Sequence, residues 1–216
     1  MEENNRNTSV NEMDIEKVED IEIPDNIKKT LNKYLIKMKL TPSKLQTKMW
    51  RNSQAWYVGG KKNECEIYQR GVIEEITNKK CHKTTDRINM NQNNIISETR
   101  PMKRNDAFDW TEDFDGKQEG LYTMYYNFKM VVGSGGAQTR SLREVAHFIT
   151  AQLDYNLSHM DNLSYFVNIL DGDESCKLYT QYNYILNKQK YKHVKQFTYI
   201  GDTYGFIDWF NQLNVQ

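Results

Sequence analysis

The chain has 216 residues, of which 38% are hydrophobic, with a mean hydropathy of −0.84 and no net formal charge. This length suits one α/β domain with a modest, aromatic-rich core, and with no run of about 18 apolar residues we expect no membrane span. The three cysteines, Cys65, Cys81 and Cys176, stand at irregular spacing. Such usage is typical of a reducing, cytoplasmic setting rather than a disulfide framework.

Charge is unevenly distributed along the chain. Residues 1–25 carry a net charge of −7, and the remainder carries +7. Residues 26–51 hold eight basic residues and no acidic one. We therefore predict a disordered acidic tail at residues 1–23, beside a body that faces nucleic acid.

Residues 24–80 are predicted to be helical. Apolar residues at helical spacing indicate one helix from Pro24 and another from Thr41, each marked by a proline near its start. A third is predicted at residues 63–80, with a buried face at Ile67, Val72, Ile73 and Ile76. The basic side chains of the first two helices either solubilise the surface or contact phosphates; the candidates for DNA contact are Lys44, Lys48 and Arg51.

Residues 82–105 are polar and rich in asparagine, which predicts a long loop with one short strand at residues 94–99. Asn, Gln and Arg are the side chains that read base edges in DNA. The candidate readers in this segment are Arg87, Asn91, Gln92, Asn93, Arg100 and Arg104.

The centre of the chain is predicted to be a hairpin of residues 107–115 and 121–132, with its turn at Gly116. Alternation along a strand would place Asp113 and Asp115 on one face, and Asn127 and Lys129 on one face. If the strands pair, Asp115 converges with Asn127 and Lys129. Because unpaired buried charge is costly, this convergence indicates a site. The alternative is an acidic turn beside a surface lysine on an edge strand.

Downstream of the hairpin, glycines at residues 133–136 either form a turn or approach a phosphate. Ser141 and Glu144 match a capping box, which predicts a helix from Ser141 and leaves Gln138 and Arg140 in the preceding loop, as candidates for DNA contact. The remaining segments predict strands at 165–170 and 195–200, and helices at 182–186 and 206–213.

An Asp at a strand end, followed by Asn127-x-Lys129 on the next strand and then a helix, resembles the PD-(D/E)XK nuclease core. Residues 135–149 and 165–173 further resemble certain type II restriction endonucleases, so the resemblance covers residues 107–173. It implies an α/β fold with a restriction-endonuclease-like core, in which a central mixed β-sheet is flanked by helices. The N-terminal helices would be appended, within one domain of residues 24–216 (helical subregion 24–80, sheet core 94–213). Asn127 departs from the family, which usually has Glu or Asp there.

The resemblance implies a Mg²⁺-dependent endonuclease that hydrolyses double-stranded DNA, usually as a homodimer. Asp115 would bind the metal and Lys129 would orient the attacking water. The missing ligand would be Asn127 itself, Asp113, or an acid of the preceding helix, Glu74 or Glu75. The alternatives are a DNA-binding protein that no longer cuts, or an interaction protein in which Asp115 lies far from Lys129.

Overall fold

The computed structural model describes residues 47–61, 63–97 and 111–213, without the side chains of residues 137–139. Every described residue belongs to one compact unit. The predicted acidic tail, the helix predicted from Pro24 and the start of the second predicted helix lie outside these residues. None of the described helices combines the length and apolarity needed to span a membrane.

Two helices, then five strands, then a mixture of helices and strands follow one another along the described chain. The helices are α1 (Thr47–Ser53), α2 (Glu64–Thr77), α3 (Gly136–Ser158), α4 (Asp173–Cys176), α5 (Tyr179–Leu186) and α6 (Thr203–Leu213). The strands are β1 (Arg87–Asn89), β2 (Asn94–Ile96), β3 (Thr111–Asp113), β4 (Gly116–Gln118), β5 (Met124–Met130), β6 (Tyr165–Asp171) and β7 (Thr198–Gly201). Short 3₁₀ turns occur at Gln189–Tyr191 and Lys195–Phe197.

A central mixed sheet has the strand order β4-β5-β6-β7. β4 is antiparallel to β5, whereas β5, β6 and β7 are mutually parallel. The connection from β5 to β6 runs through α3, as a parallel crossover requires. A separate three-stranded antiparallel sheet has the order β2-β1-β3. The predicted mixed α/β architecture, with helices flanking a mixed sheet, is confirmed.

Alternating side chains of β5 and β6 face different helices. On one face, Tyr126, Phe128, Val167 and Ile169 pack with residues of α2 and α6. On the other face, Tyr125, Phe166 and Leu170 pack against α3. All seven residues of β6 are buried, as its near-continuous apolar sequence predicts for a central strand. The largest fully buried side chains include many aromatic rings, which compensate for the low hydrophobic content.

The predicted central hairpin is wrong in its pairing. β3 joins the three-stranded sheet, the chain bends at Asp115, and Gly116 begins the strand that pairs with β5. A Cβ at Gly116 would lie 2.7 Å from Cys81 Sγ and 3.3 Å from the Phe128 ring. Gly116 therefore permits close packing within the sheet instead of forming a turn.

Three other features differ from the predictions: the exposure of one side chain, the number of strands after His82, and the start of α3. Ile67 is 62% exposed and does not belong to the buried face of α2. The segment after His82 contains the β1–β2 hairpin, which is anchored by Ile88 at 0% exposure and reverses near Asn93 at φ 53°. α3 begins at Gly136 instead of Ser141, with Gly135 in the extended conformation usual for an N-cap residue. Ser141 and Glu144 therefore do not form the predicted capping box at the start of the helix.

Candidate active site

Asp115 is fixed at the bend between the two sheets by three hydrogen bonds. Its N–H donates to the Tyr126 carbonyl (2.8 Å), and its carbonyl accepts from Arg70 Nη2 (2.7 Å). Its carboxylate oxygen Oδ2 accepts from the N–H of Phe128 (2.7 Å). The backbone of β5 and the side chain of Arg70 in α2 thus hold this residue and its carboxylate in place.

Lys129 reaches the same carboxylate from β5. Its Nζ lies 3.7 Å from Asp115 Oδ2, within ion-pair range but longer than a hydrogen bond. The Lys129 and Asp115 side chains are 32% and 16% exposed, so solvent reaches both groups. The Lys129 carbonyl accepts from Gln69 Nε2 (3.2 Å), which ties the strand to α2. The structure therefore brings together the carboxylate and the ammonium that the sequence singled out.

A second carboxylate, Glu66 of α2, is influenced by the charges of both groups. The pKa of Glu66 is raised mainly because the side chain is half-buried, and next because Asp115 is a nearby negative charge. The positive charge of Lys129 acts in the opposite direction. A cation placed near Glu66 would favour its ionised form.

The two acids of α2 that the sequence offered as metal ligands, Glu74 and Glu75, do not line the cavity beside Lys129. Glu74 forms an ion pair with Lys80 (2.9 Å) and accepts from the N–H of Cys81 (3.0 Å), and Glu75 is exposed. Glu66 precedes Arg70 by one helical turn and Ile73 by two, so all three lie near one side of α2. That spacing was the signal in the sequence that could have identified it.

A solvent-open cavity of about 390 Å³ joins these elements. It is lined by residues that include Glu66 and Gln69 of α2, Lys129 of β5 and Ser141 of α3, together with Arg51, Tyr57 and Lys61 of the segment before α2. The segment is held in place by Glu64, whose carboxylate accepts from the N–H groups of Val58 (2.9 Å) and Gly59 (3.0 Å). Basic groups therefore flank the cavity.

Asn127 does not reach this cavity. Its side chain is 1% exposed, and its Nδ2 donates to Asn168 Oδ1 (3.0 Å). Asn168 exchanges hydrogen bonds with Gln152 of α3 (2.8 and 3.2 Å) and donates to the Tyr199 carbonyl (3.2 Å). This amide network lies within the fold, and it gives no geometric support to Asn127 as a metal ligand.

The other acidic candidates also have structural partners. Asp113 is exposed on β3 opposite Arg87 of β1. Because β3 ends at Asp113 and the chain bends at Asp115, the two residues do not share one strand, and the alternation that placed them on one face does not apply. Asp173 accepts from the N–H groups of Thr47 (3.1 Å) and Lys48 (3.4 Å) at the start of α1, which is a structural role.

The predicted DNA contacts are only partly described. Lys48 is exposed on α1, and Arg51 lies with its Cζ 4.3 Å from the Tyr57 ring centroid. Arg140 is exposed, but it and Gln138 belong to α3 and not to the predicted loop. Lys44, Arg100, Arg104 and the side chain of Gln138 lie outside the described residues.

The predicted base readers of the β1–β2 segment differ in their availability. Arg87 is buried in β1 at 5% exposure. Asn93 donates to the Asp154 carbonyl (2.9 Å) and to Ser158 Oγ (2.7 Å), both in α3. Asn91 and Gln92 are exposed at the tip of the hairpin. Burial and structural hydrogen bonds thus argue against base reading by Arg87 and Asn93, and leave Asn91 and Gln92 as candidates.

Within the described ranges, no group of three or more His, Cys, Asp or Glu side chains is arranged to hold a metal ion. Asp115 and Glu66 supply two carboxylates. Mg²⁺ is commonly bound through one or two carboxylates, with water and substrate phosphates completing its shell. The two acids therefore fit a substrate-completed magnesium site and do not form a preassembled protein cage.

No protein-family model matches the chain, and no curated protein and no solved structure is significantly similar to it. What the candidate site can do therefore follows from the geometry and chemistry of its own residues.

Proposed function

We propose that the chain is a Mg²⁺-dependent endonuclease of the PD-(D/E)XK type that hydrolyses double-stranded DNA, with a restriction-endonuclease-like core. The observation that carries the proposal is the 3.7 Å approach of Lys129 Nζ to Asp115 Oδ2 beside a solvent-open cavity. A homodimer belongs to the proposal, because cutting both strands of a symmetric DNA site needs two equivalent centres. DNA as substrate, together with three free cysteines, fits a reducing cell interior.

The basic flank of the cavity suits a polyanionic substrate. Arg51, Lys61 and Lys129 all line it. Side chains of this kind neutralise backbone phosphates and make binding strongly dependent on salt. A strand laid across the cavity would bring one phosphate to the candidate site while its neighbours meet the basic residues.

Asp115 and Glu66 would hold the magnesium ion. When bound, the ion neutralises charge on the scissile phosphate and favours ionisation of a bound water. Phe128 uses one oxygen of the Asp115 carboxylate, but a carboxylate offers about four lone-pair positions, so ligand capacity remains. The hydrogen bonds to Asp115 hold its carboxylate in one position, which reduces the reorganisation that catalysis would require.

Lys129 would act on the phosphate oxygens and the attacking water. An ammonium group has three donors and no acceptor. It can therefore orient the attacking water by donating to a lone pair of the water oxygen, and it stabilises negative charge that develops on the phosphate. The backbone attachment of Lys129 to Gln69 of α2 limits its movement relative to Glu66.

Two observations favour a second candidate function, DNA binding without cleavage. Asn127 replaces the acid usual in the resembled family, and its side chain is engaged in the buried amide network. The described residues also lack a three-ligand metal cluster. In that case, the basic cavity would still hold DNA, and Asp115 would serve only to position Lys129.

A plasmid-cleavage assay separates the two functions. The purified chain is incubated with covalently closed plasmid or phage DNA and Mg²⁺, and DNA binding is measured in Ca²⁺. We expect cleavage by the wild type and a loss of about 100-fold or more in D115N and K129M, with binding largely retained. The control is Lys177→Met, which removes an exposed lysine paired with Glu174. Salt-sensitive binding without cutting would support the second candidate, and neither activity would refute both.

A further inference from the structure

The Gln69 side chain joins the candidate active site to the interior of the fold. It lines the cavity of about 390 Å³ but is only 1% exposed. Its Nε2 donates to two acceptors, the Lys129 carbonyl (3.2 Å) and Asp171 Oδ2 (2.8 Å). Glu66 lies three residues before Gln69 on α2, so the two are neighbours on one side of the helix. The Gln69 amide therefore links the turn of α2 that carries Glu66 to the strand that carries Lys129.

The Asp171 carboxylate is held by α6 as well as by α2. Its Oδ1 accepts from the N–H of Thr203 (3.0 Å), and its Oδ2 accepts from Thr203 Oγ1 (2.7 Å) in addition to Gln69. Asp171 and Thr203 are 0% and 2% exposed, so water does not compete for these hydrogen bonds. An ionised carboxylate only accepts hydrogen bonds. The ionised form of Asp171 therefore matches the donors around it.

The Gln69 amide has one orientation that serves both of its acceptors. In this orientation the NH₂ group uses its two hydrogens on the Asp171 carboxylate and the Lys129 carbonyl. Gln69 Oε1 is buried and makes no hydrogen bond within the described residues. Turning the amide over would place Oε1 against the Lys129 carbonyl, which leaves two acceptors with no hydrogen between them. The charge on Asp171 thus decides whether Gln69 donates to the Lys129 carbonyl.

A proton on Asp171 would reverse the preferred orientation of the amide. Burial, and then the negative charge of Asp202, raise the pKa of Asp171 to about 6. The protonated carboxyl is a donor, and Gln69 Oε1 is its unpartnered acceptor. On α2 and β5 the neighbours of Asp171 are Gln69 and Met130, which carry no charge. Asp171 also interacts electrostatically with Cys176 of α4, Tyr179 of α5, Tyr199 of β7 and Tyr204 of α6. Burial raises the pKa of all four groups, so each stays neutral where Asp171 titrates.

We propose that Asp171 is a positioning residue of the candidate active site, and that through the Gln69 amide it sets the place of the Lys129 backbone relative to Glu66. When Asp171 is ionised, Gln69 donates to the Lys129 carbonyl and ties α2 to β5. When Asp171 is protonated or replaced by Asn, the amide turns over, Oε1 accepts from residue 171, and the tie is lost. The effect on cleavage rests on the proposed endonuclease function, whereas the tie itself does not.

The carbonyl ¹³C chemical shift of Lys129 measures the tie directly, because it responds to the hydrogen bond that the carbonyl accepts. It is read by NMR through the N–H of Met130 in the full chain. We expect the wild type to show a step with a midpoint at about pH 6, and D171N to remain at the low-pH value throughout. E66Q removes the other carboxyl whose charge acts on this site and should keep the step. A wild-type shift that is constant with pH, a step that persists in D171N, or a step that vanishes in E66Q would overturn the proposal.

Single-turnover cleavage at saturating Mg²⁺ measures what the tie contributes to the candidate site. We expect D171N and Q69M to cleave about tenfold more slowly than the wild type with unchanged DNA binding in Ca²⁺, because a small displacement of an oriented group is costly in rate. The control is Asn168→Leu, which disrupts buried hydrogen bonds outside the cavity and should cleave at the wild-type rate. Wild-type rates in D171N and Q69M, or equal slowing in N168L, would overturn the positioning role. If the wild type does not cleave, the endonuclease function is refuted, and the NMR titration alone decides whether Asp171 controls the Lys129 backbone.

Discussion

Asp171, the last residue of β6, makes a quantitative prediction about pH and stability. Its side chain is fully buried, and burial raises the pKa of this carboxyl from 3.8 to about 6. Three donors limit the rise: the N–H of Thr203 (3.0 Å), Thr203 Oγ1 (2.7 Å) and Gln69 Nε2 (2.8 Å). The residue therefore carries a charge that its hydrogen bonds only partly compensate.

The sign of the effect follows from proton linkage. The folded state binds the Asp171 proton more tightly than the unfolded state, so protonation stabilises the fold. The contribution is fully present below about pH 4 and is lost as the pH rises to about 6. The rise of the pKa from 3.8 to about 6 corresponds to at most about 3 kcal/mol of unfolding free energy.

Asp171→Asn removes this titration. The new amide would face the donors of Thr203 and Gln69, but Gln69 Oε1 is buried without a hydrogen-bond partner, so a rotation of the Gln69 amide can pair with it. Any remaining loss of unfolding free energy in D171N does not depend on pH. It therefore cancels when the difference between wild type and variant is compared at different pH values. Because Gln69 also donates to the Lys129 carbonyl, the variant further tests how firmly α2 holds the candidate site.

Urea unfolding between pH 4.5 and 7.5 measures the effect. We expect the unfolding free energy of the wild type, minus that of D171N, to fall by about 2 kcal/mol over this range. Asp208→Asn, which changes an exposed carboxyl of α6, is the control and should leave the pH profile unchanged. A difference that stays constant, or that increases with pH, would show that the hydrogen bonds outweigh burial and would refute the reasoning.

Three further predictions concern the backbone, the amide network and DNA binding. Gly172→Ala should cost about 3 kcal/mol or more in thermal unfolding, because φ is +110° and the new Cβ would overlap the Val131 carbonyl; a melting temperature within 2 °C of the wild type would contradict this. Asn168→Leu should cost about 2–4 kcal/mol in urea unfolding, since it strands the buried amide of Gln152, and a neutral result would mean that the network adds no stability. Arg51→Gln should lower the log–log salt slope of DNA binding by about 1, and an unchanged slope in gel shifts would exclude a phosphate contact there.

The elements that the sequence predicted well are those with strong local patterns. The apolar run of β6 and the 3.6-residue periodicity of α3 each correspond to an observed element. In such segments the pattern of buried apolar residues within the segment itself indicates the secondary structure. The start of α3 was misplaced, because the capping box at Ser141 is a short motif that occurs within helices as well as at their ends.

Pairing between strands depends on long-range contacts that local patterns do not encode. The run before Gly116 was assigned to one strand, but Phe114 packs with Ile88 and Tyr125 in a separate cluster and its N–H donates to Asp86, so the chain divides at Asp115. Asp115 still lies beside Lys129, because its own N–H pairs with Tyr126 of β5. Asn127 shares the strand face of Lys129, as predicted, but the amides of α3 and β6 that enclose it are distant in sequence.

The most direct test of the proposed site is single-turnover cleavage of a closed circular plasmid at saturating Mg²⁺ by E66Q and E75Q. Both variants neutralise one carboxylate of α2, but of the two only Glu66 lines the 390 Å³ cavity, together with Lys129. We predict that E66Q loses about 100-fold or more in rate whereas E75Q cleaves as the wild type does. Equal rates for E66Q and the wild type would contradict the assignment of Glu66, and loss of cleavage in E75Q alone would move the acid to the opposite side of the helix.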